Sequence, residues 1–129
     1  MSVLTNTLLP HALPDDPDQR VQLIALRRMA AFGLHDARAS LMLLERHGMD
    51  WRRKLVLLRA FVNELAQCSQ RRIKLAPCCV GRMTSDEARI VEVLDTAQRE
   101  PHRAATALRA LTAGPVIGGP LSLAAMLAR

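Results

Sequence analysis

Two adjacent cysteines, Cys78 and Cys79, lie in the stretch Arg71-Arg72-Ile73-Lys74-Leu75-Ala76-Pro77-Cys78-Cys79-Val80-Gly81-Arg82-Met83. Cysteine reacts and binds soft metals as its thiolate, a form that nearby cations or a helix N-terminus favour. Arg72, Lys74 and Arg82 supply cations here, and a helix start follows at Thr84. Cys78 and Cys79 are therefore candidate reactive thiols. The competing reading is packing, since cysteine also serves as a small buried hydrophobe. Neighbours in an extended segment face opposite ways, so one of the two is expected to point inward.

Metal binding has a weaker basis. Cys68, Cys78 and Cys79 would give three soft ligands, with His11, His35, His47 or His102 as a fourth. Zinc sites are usually built from paired cysteines a few residues apart, a spacing this chain lacks. Cys68 also fits the apolar side of a helix. No metal and no other cofactor is expected.

The second chemical feature is cationic. The net charge is +6, with 18 basic and 12 acidic residues. Residues 38–82 hold eight Arg, two Lys, two Glu and one Asp, a local +7, while the flanking parts are near neutral. Within that stretch Arg52, Arg53 and Lys54 crowd the first turn of a long helix, where the helix dipole disfavours cations. Free backbone N–H groups together with Arg side chains would suit an anion. Arg71, Arg72 and Arg82 extend the basic surface. The dominance of Arg over Lys has a compositional explanation as well, a GC-rich genome.

The elements that carry these residues are helical. Leu, Ala, Met and Arg dominate and favour helix, while the aromatics number only Trp51, Phe32 and Phe61. Asp16-Pro17-Asp18-Gln19 has the spacing of a capped start, predicting a helix over 17–32 that stops at Gly33. Its apolar face reads Val21, Ile24, Ala25 and Met29, widened by Leu23, Leu26 and Ala30. A second helix starts near Asp36, burying Ala37, Leu41, Met42 and Leu44 with Leu43 beside them, and ends at His47-Gly48. His47 in its last turn would complement the dipole if charged. Asp50 is expected to cap a third helix, Trp51 to about Gln70, with Leu55, Leu58, Val62 and Leu65 on its buried side.

Residues 71–83 show no helical period. Connections in compact helical domains usually run to about 2–8 residues, so this one is long. Thr84 and Glu87 form a capping box ahead of Ile90, Val91, Leu94 and Ala97. Pro101 opens another helix, with Ala104, Ala105, Leu108 and Leu111 inward. Residues 110–128 carry no charge, but Gly114, Pro115, Gly118, Gly119 and Pro120 break the run. A broken segment of this kind would leave backbone groups unpaired in lipid, so it reads as a turn and a last helix, Pro120 to Ala128.

Several function classes are excluded by pattern. There is no Gly-rich phosphate loop, Gly-x-Ser-x-Gly elbow or His-Glu-x-x-His helix. A helix-turn-helix reading of the second and third helices leaves too little free face on the third. Aromatics for stacking bases are lacking.

Two segments carry a resemblance: Leu9-Pro10-His11-Ala12-Leu13-Pro14-Asp15-Asp16-Pro17-Asp18-Gln19-Arg20, and Ala76-Pro77-Cys78-Cys79 through Arg82-Met83-Thr84. They are similar to a family of short alphaproteobacterial proteins that has no established activity. The likeness covers roughly the first ninety residues and leaves out the tail after Thr112. It implies a bacterial source and no mechanism.

The sequence thus predicts an all-α fold, a single compact bundle of five to six helices with one long Cys-containing loop. Residues 1–14 would be an arm and 15–129 the helical domain. With no secretory signal at the start, a reducing cytoplasm is expected. The leading functional expectation is a non-enzymatic binding or regulatory protein. Its basic surface at Arg52, Arg53, Lys54, Arg71, Arg72 and Arg82 would meet an anionic partner, an acidic protein surface or a nucleic-acid backbone. The alternative is a thiol-redox or metal-binding protein centred on Cys78 and Cys79.

Overall fold

Six α-helices carry the core in the computed structural model, which describes residues 9–129. They are α1 (Pro17–Phe32), α2 (Ala37–His47), α3 (Trp51–Cys68), α4 (Ser85–Thr96), α5 (Pro101–Thr112) and α6 (Gly118–Leu127). A 3₁₀ turn, Gly48–Asp50, joins α2 to α3. Two short strands, β1 (His11–Ala12) and β2 (Arg82–Met83), pair antiparallel, with His11 opposite Met83. No helix among the described residues is long and apolar enough to cross a membrane.

The starts and stops follow local chemistry. Asp16 accepts from the Gln19 amide ahead of Pro17, and Gly33 ends α1 at φ +110, a region that costs glycine little. Thr84 and Glu87 cap α4 reciprocally, each side chain taking the other's backbone N–H. Asp50 does not cap α3. It lies inside the 3₁₀ turn, and its carboxylate instead reaches Arg53 at 3.5 Å. α6 starts at Gly118, two residues before the expected Pro120.

One apolar core gathers side chains from all six helices and from Leu75 of the long loop. Leu58 and Phe61 of α3 are fully covered, as are Val93 of α4 and Leu108 and Leu111 of α5. α2 corrects the expectation. It buries Ala39 and Leu43, one i, i+4 pair, and leaves Leu41 52 % and Leu44 41 % exposed. So small an apolar set fits two helical faces, and the packing against α1 and α3 selected the narrower one.

The arm is not separate from the long loop. Leu9 is buried, and the Arg82 guanidinium donates to the Leu9 and Pro10 carbonyls at 2.9 and 3.1 Å. Leu13 is half-buried. The arm's other leucines, Leu4 and Leu8, lie outside the described residues.

Candidate functional site

A fully buried ion pair sets the position of the cysteines. Arg27 of α1 donates through Nε to Glu87 Oε2 at 2.6 Å and through Nη2 to Oε1 at 3.0 Å. Both side chains have no exposure. The remaining Arg27 donors reach the loop carbonyls of Val80, at 2.8 Å, and Arg82, at 2.7 Å. One guanidinium thus joins α1, the start of α4 and the backbone on either side of Gly81. Arg27 was missed as a site residue. Its spacing from Leu23 is i, i+4, which places it on the buried face of α1, so the signal was a charge in an apolar row.

Asp86 fastens the other end of the loop. It pairs with Arg71 at 2.9 Å, pairs with Arg89 at 3.2 Å and accepts the Lys74 amide at 2.8 Å. Burial pushes its carboxyl upward, but Arg71, the Lys74 amide and Arg89 together hold it below the usual range. The Thr84 hydroxyl adds a bond to the Lys74 carbonyl.

Between these anchors Cys78 and Cys79 form a turn, closed by the Val80 amide on the Pro77 carbonyl at 3.2 Å. The turn replaces the extended geometry expected there. Both sulfurs therefore fall on one side, 3.4 Å apart. Cys79 is exposed and Cys78 half-buried, and both are free thiols. The two line a groove of about 490 Å³ with Leu41, Arg28 and Arg38. The cations beside the sulfurs are these two arginines, in place of Arg72, Lys74 and Arg82. Arg28 Nη1 sits 3.8 Å from Cys78 Sγ, while its other nitrogens hold Asp36. The hydrogen bond shared with Cys78 pushes the Cys79 thiol upward from its ordinary value, against the pull of Arg28 and Arg38. Cys68 lies elsewhere, its thiol 3.9 Å from Glu64 of its own helix. Among the described residues no group of three or more His, Cys, Asp or Glu side chains gathers as a metal site.

The predicted basic residues divide into engaged and open. Lys54 is buried and donates to the Leu127 and Arg129 carbonyls, and Arg53 donates to those of Met126 and Arg129. The cations that strain the dipole of α3 therefore complete the C-terminal end of α6, where a dipole favours them. Burial, with Arg53 beside it, lowers the Lys54 pKa. Arg71 is held by Asp86 and the Leu111 carbonyl, and Arg82 by the arm. Arg52 and Arg72 remain exposed, and no carboxylate among the described residues pairs with either. Arg52 lies over the Trp51 ring at 5.5 Å. His47 stands in the last turn of α2 as expected, but its surroundings disfavour the charged form that would complement the dipole. Burial lowers its pKa, and its Nε2 is enclosed without a hydrogen-bond partner.

The fold and site define a small helical protein with a surface dithiol held by a buried ion pair. The sequence model of a family described as "Family of unknown function (DUF6628)" matches residues 3–128, and the chain belongs to that family. The match runs on through the tail that the two resembling segments left out. No curated protein and no solved structure matches the chain.

Proposed function

We propose that residues 15–129 act as one domain and that the protein is a non-enzymatic thiol switch of the bacterial cytoplasm, with Cys78 and Cys79 as its reactive pair. The observation that carries this reading is the 3.4 Å separation of two free sulfurs on one side of a surface turn. A thiolate on Cys78 is met by the Arg28 guanidinium and the Cys79 thiol. It attacks one sulfur of a small-molecule disulfide, whose S–S bond breaks and releases one thiol. The Cys79 thiolate then attacks Cys78 Sγ of the mixed disulfide and releases the second thiol. Two electrons pass from the cysteines to the small disulfide, leaving a Cys78–Cys79 bond. Adjacent Cα atoms lie about 3.8 Å apart, short of the usual span of about 4.4–6.8 Å for a disulfide. The bond is strained, and strained disulfides are the labile, regulatory ones.

Equilibration with glutathione buffers of graded poise, followed by mass spectrometry, tests this. The wild type is expected to lose two hydrogens as one step, and Cys78→Ser and Cys79→Ser to stop at a mixed disulfide. Independent modification of the two cysteines in the wild type would end the proposal.

A second reading is supported by the exposure of Arg52 and Arg72 without carboxylate partners. They would engage an anionic partner, an acidic protein surface or a nucleic-acid backbone, whereas Arg53, Lys54, Arg71 and Arg82 of the predicted basic surface are engaged within the fold. Such binding weakens steeply as salt rises. Salt-independent binding, or none at low salt, would remove this reading.

A further inference from the structure

Between α1, α3 and the loop lies a second concavity, about 280 Å³ in volume, which shares no lining residue with the cysteine groove. Its lining includes Leu26, Leu65, Leu75 and Ile90, all buried core residues. The opening therefore reaches the apolar core itself. Two small side chains leave the gap: Ala30 on α1 and Ala66 on α3 both border it and are exposed.

Polar groups occur only where the loop closes the rim. Ser69 is used up, since its hydroxyl donates to the Arg71 carbonyl and accepts the Arg71 amide. Arg71 is neutralised by Asp86. Arg72 is different. It is exposed at the rim, and no carboxylate among the described residues pairs with it. Lys74 is exposed two residues on. An apolar cavity with one open guanidinium at its mouth matches a ligand with an apolar body and a single anionic head.

We propose that this cavity binds an aliphatic carboxylate, with the chain against Leu26, Leu65, Leu75 and Ile90 and the carboxylate on Arg72. The site is independent of the dithiol. It commits Arg72 to a small ligand, and a polyanionic macromolecule is the competing occupant of that residue. The chain length follows from the cavity, which is too small for a long lipid tail to be enclosed and too apolar for acetate to be held.

Calorimetric titration of the full chain with decanoate, decanol and acetate tests the proposal. Decanoate is expected to bind saturably at one site, decanol more weakly and acetate not at all. Arg72→Gln should weaken decanoate about tenfold, the worth of one charge-assisted hydrogen bond, and leave decanol unchanged. Ala66→Phe fills the mouth from an exposed position and should abolish both. Equal binding by wild type and Ala66→Phe, or no saturable binding of decanoate, would overturn the cavity assignment. Equal affinity for decanoate in wild type and Arg72→Gln would overturn the role of the carboxylate. Loss of Cys78 and Cys79 to serine should not change any of these affinities.

Discussion

Arg27 and Glu87 form a bidentate ion pair with no solvent exposure, and the same guanidinium holds the loop carbonyls of Val80 and Arg82. A charge this deep is tolerated because all three guanidinium nitrogens are hydrogen-bonded and one carboxylate neutralises it. Glu87 also accepts the Thr84 amide, so its carboxylate is shared between the ion pair and the cap of α4.

Removing one partner leaves the other charge buried and unpaired, which costs about 3–5 kcal/mol. Arg27→Met and Glu87→Leu are each expected to lower the free energy of unfolding by that amount in urea titrations. The double variant should lose less than the sum. Strict additivity would mean the two side chains do not form the pair in solution.

The shared hydrogen bond makes Cys79 a weaker acid than an isolated thiol. In Cys78→Ala that bond is gone while Arg28 and Arg38 remain. The pH profile of Cys79 alkylation by iodoacetamide should then move to lower pH than in the wild type. An unmoved or upward-moved profile would show that Cys78 does not hold the Cys79 proton.

His47 gives stability a dependence on mild acid. Burial lowers its folded pKa, with Lys54 and Arg46 acting in the same direction and Asp18 and Asp50 opposing them. The unfolded chain, near 6.5, therefore takes up the proton more readily. This contribution is complete above about pH 6.5 and is lost as pH falls through the lower folded value. Urea midpoints should fall between about pH 7 and about pH 5, and His47→Gln should flatten that limb. Asp86 acts further down. Its folded pKa is depressed, so its contribution fades only below about pH 4, and Asp86→Asn should flatten the acid limb alone.

Lys54 fixes the end of α6. Lys54→Ala removes the Lys54 bond from the buried Leu127 carbonyl, at about 1–3 kcal/mol for one such group, while Arg53 still holds the Arg129 carbonyl. Hydrogen exchange should show the last turn of α6 losing protection before α4 or α5. Uniform loss across all helices would point to a general packing defect.

Helix positions were legible because caps and breakers act locally. Asp16-Pro17, Gly33, Thr84 with Glu87, and Pro101 each act within one turn, and the structure places helix ends at them. The buried face of α2 was not legible, since Leu41, Met42, Leu43 and Leu44 offer several stripes and only neighbouring helices choose among them. The surroundings of the cysteines were hidden for a similar reason. Arg28 and Arg38 come from α1 and α2, and Arg28 lies 50 positions away from Cys78 in the chain. The use of Lys54 and Arg53 depended on α6 arriving from the far end of the sequence, at separations of 73 positions or more.

The pairing of β1 with β2 has a consequence in time. Arg82 and Leu9 stand 73 positions apart, and Arg27 and Glu87 stand 60 apart. Closing such long loops is entropically costly and is repaid only when distant partners are already present. On a ribosome, Cys78 and Cys79 emerge before α4 exists to hold them. The fixed 3.4 Å approach of the two sulfurs is therefore a property of the finished molecule, and in a newly made chain the neighbouring thiols sample many separations before the turn is held.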